Sequence, residues 1–445
     1  MPEITLNEFN IDNNTVSWNL NDTKFNIKYN FNINTDYVRA FKIIPLIQSC
    51  CLLSSIKKLP ILNTDFVISE PEKELIEQYF KKQYVFNMKR LDIEITEIPK
   101  LIIRSSSKQF KEIVKTNIQD STHVASSWSG GKDSLITLCL LEEIKYKVDP
   151  ITTKWNTIAF NRGAHPFLKN HKIQPNIIAS MSLGNKLKKL VFKILNEQNI
   201  NIQIEKDSGL FMTGKDLPMM LYHSFYMNTQ NVNNILYGMH NNIKYTFSGD
   251  EAEVNYIEEY CGFKLYENIG QGYNNKKIIN KYLVSTYGKN VTSNNSILYP
   301  LYSPLIIKML LLRYKRNDFS SCLTMINKVC NRCPKCTMSL IYCSALRINP
   351  SILGLNREKI IKHLNIDMTD SFSFPPVDES YWLINMCLYD KELYPILPYM
   401  VDSSPTNKKD LSFNPLIPKQ TKYNTIPKIM RKKIVKIYNK YLSEK

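Results

Sequence analysis

The sequence predicts an α/β protein: a doubly wound parallel sheet, preceded by an α+β module and followed by a cysteine-rich metal region. Three observations carry that expectation. From Thr122 onward, short apolar runs alternate with helix-like stretches, the pattern of strands joined by helical crossovers. Residues 3–33 instead alternate apolar and polar side chains with period two, as half-buried strands do. Four of the ten cysteines crowd into residues 322–336. The division that follows is an N-terminal module over 1–120, a nucleotide-binding-type domain over 121–345 ending in the cysteines, and a C-terminal extension over 346–445.

In the N-terminal module, Phe25, Ile27, Tyr29, Phe31 and Ile33 alternate with Lys24, Asn26, Lys28, Asn30 and Asn32, and Asn13-Asn14 marks a hairpin-like turn before them. Residues 37–58 read as a helix kinked or divided at Pro45. A second helix follows Pro71 through Glu72–Phe80, its early carboxylates suited to the positive end of the helix dipole. Leu91–Ile98 alternates again as a strand would, and the module closes at Ser105-Ser106-Ser107. It contains no constellation of chemically active residues.

The next segment is chemically dense. His123–Ser126 reads as the end of a buried strand, and Leu135 through Glu143 as a helix. Between them lies Ser127-Trp128-Ser129-Gly130-Gly131-Lys132-Asp133-Ser134. The glycines allow a sharp turn and close approach of backbone to a ligand. A helix start offers unpaired N–H groups and a favourable dipole to an anion, with Ser129 or Ser134 as its expected cap. A plain strand–turn–helix corner needs no lysine, carboxylate and hydroxyls in one loop, so the stretch reads as a phosphate cradle. It lacks the GxxxxGK[ST] pattern, which disfavours a kinase or GTPase.

Further along, Thr157–Phe160 is expected as a strand ending in Asn161-Arg162-Gly163, with His165 just beyond. A helix over Leu187–Asn196 and a strand over Asn201–Ile204 follow, then a helix over Met219–Met227 and a strand Asn234–Tyr237 ending in Gly238. In such sheets, ligands bind beyond the carboxyl ends of the strands. The polar clusters there are residues 161–165, Thr213-Gly214-Lys215-Asp216, and Ser248-Gly249-Asp250-Glu251 with Glu253. Lys215 is suited to neutralising phosphate, and the acids to holding Mg²⁺ or steering a substrate. Each cluster taken singly also fits an ordinary turn.

Cys322-x7-Cys330-x2-Cys333-x2-Cys336 has the spacing of a four-thiolate site, for structural zinc or an iron–sulfur cluster. Cys50, Cys51, Cys139, Cys343 and Cys387 sit in apolar stretches and read as packing residues. Tyr381–Tyr389 is expected to be helical, followed by a linker with Pro405, Pro415 and Pro418. The tail after Pro427 is a basic amphipathic helix with Ile429, Met430, Ile434, Ile437, Tyr438 and Tyr441 near one face. Docking that face onto its own domain is preferred over contact with RNA or a membrane.

The bulk numbers fit a soluble globular chain: 445 residues, 43% hydrophobic and 22% charged, with no apolar run of membrane-spanning length and no signal-peptide core. A cytoplasmic location is expected. The net charge of +18 invites a nucleic-acid partner, but lysine far outnumbers arginine amid abundant Asn and Ile, which suggests a drift of the whole surface. A small-molecule substrate is therefore preferred, with tRNA as the less favoured partner.

The residues SGGKDS at 129–134 resemble the PP-loop of the ATP pyrophosphatase superfamily. With the cysteines, residues 122–345 are similar to the 7-cyano-7-deazaguanine synthase family and related zinc-bearing PP-loop proteins. The matching landmarks are 161–165, 213–216, Gly238, Tyr302-Ser303-Pro304-Leu305 and a cysteine quartet one residue shorter than the family's. Asn161 stands where that family has Asp, and Lys215-Asp216 where it has Arg-Asn, so the resemblance leaves the substrate open. It implies a Rossmann-like domain that uses ATP and Mg²⁺ to adenylate a carboxylate or carbonyl oxygen, releasing pyrophosphate before an amine or sulfur nucleophile attacks. It also implies Lys132, Asp133 and Lys215 as catalytic residues, and Ser129, Gly130, Gly131, Lys132, Asp133, Ser134, Asn161, Gly163, Gly214 and Gly238 around the nucleotide. A tRNA-modifying enzyme of thiolase or lysidine type, and a non-catalytic nucleotide-binding protein, are the alternatives.

Overall fold

The structure, a computed structural model, describes residues 3–107, 115–154, 173–181, 184–198, 217–252, 257–266, 270–319, 329–364, 377–391, 393 and 413–442. It begins with an antiparallel meander of β1 (Glu3–Asp12), β2 (Thr15–Leu20) and β3 (Thr23–Tyr29). The Asn13-Asn14 turn falls between β1 and β2 as expected. A second turn at Asn21-Asp22 adds a strand the alternation did not separate, and β3 stops at Tyr29, short of Ile33. Asn13 and Asn21 both adopt positive φ, 49° and 51°, which asparagine tolerates better than most residues.

One face of the meander, including Leu6, Val16, Trp18 and Phe25, is fully buried in a core shared with α1 (Val38–Leu53). Pro45 lies within α1 without ending it. After β4 (Ile61–Thr64), α2 (Glu70–Arg90) starts with a capping box in which Glu72 accepts from the Ser69 N–H. Glu72 is buried, and its other oxygen pairs with Lys42 of α1 at 2.8 Å, locking the two helices together. Leu91–Ile98 is coil rather than strand: Asp92 takes φ +54° and interrupts the extended run, so the next strand, β5, waits until Ile102–Ser105.

The remaining strands and helices follow in order: β6 (His123–Ser127), α3 (Lys132–Glu143), β7 (Lys147–Lys154), β8 (Asn176–Met181), α4 (Gly184–Glu197), α5 (Leu217–His240) and β9 (Tyr245–Phe247). A separate hairpin of β10 (Ile257–Tyr260) and β11 (Phe263–Tyr266) precedes α6 (Tyr273–Tyr287), β12 (Ser293–Asn295) and α7 (Ser303–Lys308). The C-terminal part holds α8 (Pro334–Ala345), α9 (Arg357–Leu364), α10 (Val377–Cys387) and α11 (Lys428–Tyr438). The strands expected at Thr157–Phe160 and Asn201–Ile204, and Pro405, lie outside the described residues.

Ten strands form one mixed, mostly parallel sheet in the order β12-β9-β6-β7-β8-β3-β2-β1-β4-β5. The block β12-β9-β6-β7-β8 is parallel, β8 joins β3 antiparallel, and β1-β4-β5 is parallel again. The sheet thus runs unbroken across residue 120. From β6 the chain adds β7 and β8 on one side, then returns to add β9 and β12 on the other. The strand order reverses between β6 and β9. Helices cover both faces here: Val124 packs into the core with α3, whereas Ser127, an odd number of positions along, meets α5.

Asn234–Tyr237, expected as a strand ending in Gly238, belongs to α5. A four-residue apolar run cannot be told from a buried helix segment by periodicity. The helical reading wins because Asn228, Thr229, Asn231, Asn233 and Asn234, all buried, find partners when spaced on a helix. Asn234 donates to Ser127 Oγ at 2.7 Å, Asn231 accepts from Asn294 at 2.9 Å, and Asn233 accepts from the Tyr29 hydroxyl at 2.8 Å. Gly238 is a packing residue in this helix: a Cβ there would lie 2.5 Å from Thr292 Cγ2 and 2.9 Å from Thr246 Cγ2.

The tail helix α11 docks on its own chain, burying Met430, Ile434 and Tyr438, whose hydroxyl donates to the Ile297 carbonyl at 2.7 Å. Ile429 turns outward, 45% exposed, contrary to its expected place on the apolar face. Among the described residues no helix is long and apolar enough to cross a membrane. Gly238→Ala should lower stability by about 1–3 kcal/mol through overpacking against the two threonines. Urea unfolding measures it, and an unchanged midpoint would refute the packing role.

Candidate functional site

Residues 129–134 form the connection from the carboxyl end of β6 to α3. The Trp128 N–H still bonds Ile151 O of β7 at 2.7 Å, so the chain leaves the sheet only after Trp128. Gly130 adopts φ +78°, a left-handed turn that glycine takes without strain. Gly131, extended at φ −84° and ψ 168°, is the N-cap of α3. Neither serine caps the helix as expected; they brace the loop instead. Ser134 Oγ accepts from the Ser129 N–H at 3.4 Å, lies 3.3 Å from Ser129 Oγ and donates to Gly131 O at 3.0 Å. The first-turn N–H groups of α3 have no intrahelical partners by construction.

Lys132 sits in that first turn. Its ammonium group contacts Asp133 Oδ1 at 2.6 Å and Glu251 Oε2 at 2.7 Å, and Glu251 also accepts from Ser303 Oγ at 2.9 Å. Two loops thereby meet over one ammonium: the loop after β6 and residues 248–251 after β9, which flank the point where strand order reverses. Their approach is so close that a Cβ on Gly249 would lie 2.8 Å from Asp133 C and 3.0 Å from Ser134 N. A glycine is required at 249 by this contact, not by a turn.

Beneath this surface lies a second charged group. Asp250 is buried; its carboxylate accepts from Ser248 Oγ at 3.0 Å and pairs with the buried Lys276 of α6, while its carbonyl accepts from Ser296 Oγ at 2.6 Å. Burial pushes the Lys276 ammonium well below its ordinary pKa. Asp250 is therefore a structural anchor that holds the 248–251 loop in place, and Glu251 is the acid of that pair that reaches the surface loop. Lys276 escaped sequence reading because nothing in Asn274-Asn275-Lys276-Lys277 separates it from the chain's other lysines. Ser303 was visible only as part of the segment 302–305.

Among the described residues, two carboxylates share the Lys132 ammonium at a helix N-terminus. Burial and the Glu251 carboxylate push Asp133 up to about 7, against the opposing pull of Lys132. Asn161, Gly163, His165, Gly214, Lys215 and Glu253 lie outside the described residues, and Gly238 packs in the helix–sheet interface.

Cys330, Cys333 and Cys336 bring their sulfurs within 4.8 Å of one another, the cluster of three metal-ligating side chains found among the described residues. Cys330 and Cys336 are 3.8 Å apart, and Cys333 and Cys336 3.5 Å. Tetrahedral zinc with Zn–S bonds of about 2.3 Å spaces its sulfurs by about 3.8 Å, so the three fit a metal ion such as zinc. Asn331, at φ +57°, turns the chain between the first two cysteines, and Cys333 is the N-cap of α8, which carries Cys336 one turn on. Cys322 lies outside the described residues. Cys50, Cys51, Cys139, Cys343 and Cys387 are buried, as expected of packing thiols.

No protein-family model, curated protein or solved structure matches the chain.

Two expectations follow from this geometry. An acid whose folded pKa is raised keeps its proton in the native state over a window where the unfolded chain has lost it. Stability should therefore fall as pH rises from about 4 towards 7. Asp133→Asn should flatten that slope by up to one proton, read from thermal unfolding across pH; equal slopes would contradict it. Elemental analysis should find about one bound metal per cysteine site, and Cys333→Ser or a chelator should lower the unfolding midpoint. A metal-free protein of unchanged midpoint would exclude the site.

Proposed function

We propose that this chain is an ATP-dependent enzyme of PP-loop type that activates a carboxylate or carbonyl oxygen by adenylation. One observation carries the reading. The SGGKDS loop opens α3 at the carboxyl end of β6, beside the β6/β9 strand-order reversal, where α/β sheets bind ligands. A doubly wound, Rossmann-like arrangement of the parallel strands belongs to the same proposal.

In this scheme the substrate oxygen attacks the α-phosphorus of ATP, the bond to the β-phosphate oxygen breaks, and pyrophosphate leaves. An amine or sulfur nucleophile then attacks the activated carbon, and AMP departs with the original oxygen. The N–H groups of the loop and of the first turn of α3, with the Ser129 and Ser134 hydroxyls, bind the departing pyrophosphate. Lys132 offsets the charge that builds on it, an interaction that acts most strongly as the bond breaks. Lys215, which lies outside the described residues, is assigned the same task.

The donor set supports Mg²⁺: among the described residues, Asp133 and Glu251 lie together around the Lys132 ammonium. Mg²⁺ takes oxygen ligands from one or two carboxylates plus substrate phosphates, and these two acids match that donor set. When bound, the ion neutralises phosphate charge and orients the leaving group. Asp133 and Glu251 would hold it, and Lys132 would face the phosphates.

The test is ATP–pyrophosphate exchange against panels of carboxylates, ammonia-dependent substrates and RNA. Exchange with at least one class is expected. Lys132→Ala should reduce it by about 10²–10³-fold, and Asp133→Ala should abolish it. Exchange that persists at the wild-type rate in Asp133→Ala would overturn the assignment. ATP binding without exchange in any panel would leave a nucleotide-binding protein instead.

A further inference from the structure

We infer that the outer face of α11 is a docking surface for the phosphate backbone of a nucleic acid, separate from the ATP loop. The inference does not rest on the adenylation chemistry. Between residues 411 and 443 the chain carries eight Lys or Arg and no Asp or Glu. Residues 150–196 and 268–317 also carry eight Lys or Arg each and no acid, but there the eight span 40 and 41 positions, whereas here they fall within 22, from Lys419 to Lys440.

The fold sorts those charges. Met430, Ile434 and Tyr438 are spent on the core, and Lys428, Lys432 and Lys436 stand exposed at four-residue intervals, with Lys440 exposed in the 3₁₀ turn that continues the helix. At a rise of about 1.5 Å per residue they form a ridge about 18 Å long, facing roughly five phosphates of one strand. Lys433 broadens it: its Nζ lies 3.5 Å from the Ile144 carbonyl and 6.0 Å from the Tyr146 ring centroid. That contact seats α11 against the α3–β7 turn, where Lys145 and Lys147 are also exposed. Of the acids there, Glu143 is occupied by Arg313 and by the Tyr314 hydroxyl at 2.6 Å, and Asp120 accepts from the Tyr245 hydroxyl at 2.9 Å, leaving Glu142 as the exposed carboxylate of the turn itself.

The same sorting argues against a bilayer. A helix lying on a membrane inserts its apolar face among the acyl chains, and here that face is inside the protein. What remains is charge, which a polyphosphate satisfies alone. The ridge sits at the carboxyl end of α3, about 18 Å along the helix from the loop that opens it. Nucleic acid held there is anchored by its backbone, and no base contact is implied.

The experiment is fluorescence anisotropy of the full chain with a labelled single-stranded RNA and a duplex DNA of about 20 nucleotides, from about 50 to 200 mM salt. The triple variant Lys428→Gln, Lys432→Gln, Lys436→Gln alters exposed side chains only. It should weaken binding at least tenfold and reduce the slope of log affinity against log salt by about 2. Its unfolding midpoint and ATP–pyrophosphate exchange should be unchanged. A folded variant with wild-type affinity and slope, or a wild-type chain that floats with phosphatidylserine vesicles yet binds neither nucleic acid, would overturn the proposal. Should the triple variant be unstable, single Lys432→Glu and Lys436→Glu chains serve; each should weaken binding, and unaltered affinity in both is equally decisive.

Discussion

The candidate site depends on one close contact: Gly249 lying directly against Asp133 and Ser134 at the start of α3. Everything charged in the site is arranged by it. Because no Cβ separates the two loops, Glu251 reaches the Lys132 ammonium, and Asp133 feels a second carboxylate close enough to raise its pKa. The contact is held from below by Asp250, tied to Lys276 of α6, Ser248 and Ser296. Breaking a buried pair of that kind strands an uncompensated charge, at a cost of about 3–5 kcal/mol. The loop after β9 is therefore fixed to the helix that follows it, and through it the loop after β6 acquires its acids.

Much of this was legible in the chain because local chemistry announces itself. The turn from β6 into α3 needed no partner to be read; its glycines, lysine and carboxylate are adjacent. The three clustered cysteines were equally plain from their spacing, and α11 from its period. What escaped reading was decided by tertiary partners. Asn234–Tyr237 looks like a strand until Ser127, Asn294 and Tyr29 are seen to pair with the asparagines around it. Gly238 looked like a strand-end glycine and is a gap for two threonine methyls. Lys276 is one lysine among many until Asp250 is placed beside it. The alternation at Leu91–Ile98 is real, yet Asp92 turns the backbone out of the extended region.

The sheet also joins what the sequence separates. Composition changes near residue 120, from a meander with helices to strand–helix repeats, and a boundary there is a natural reading. In the structure β3 pairs with β8, so the N-terminal strands extend the parallel block rather than standing beside it. The core follows suit: residues of the meander and of α1 and α2 pack with α4, α5 and α6 in one hydrophobic cluster. The Tyr29 hydroxyl on Asn233 and the Tyr79 hydroxyl on Asn228 carry that union into the polar interior.

The asparagines of α5 have a further consequence. They floor the sheet ends beneath the loops with amide, hydroxyl and phenol groups, none of which changes charge near neutral pH. A proton gained or lost by Asp133 alters the electrostatics of the site without altering the charge of these asparagines. Oriented amides behave as permanent dipoles, and a surface built on them keeps its shape while the charges it carries come and go.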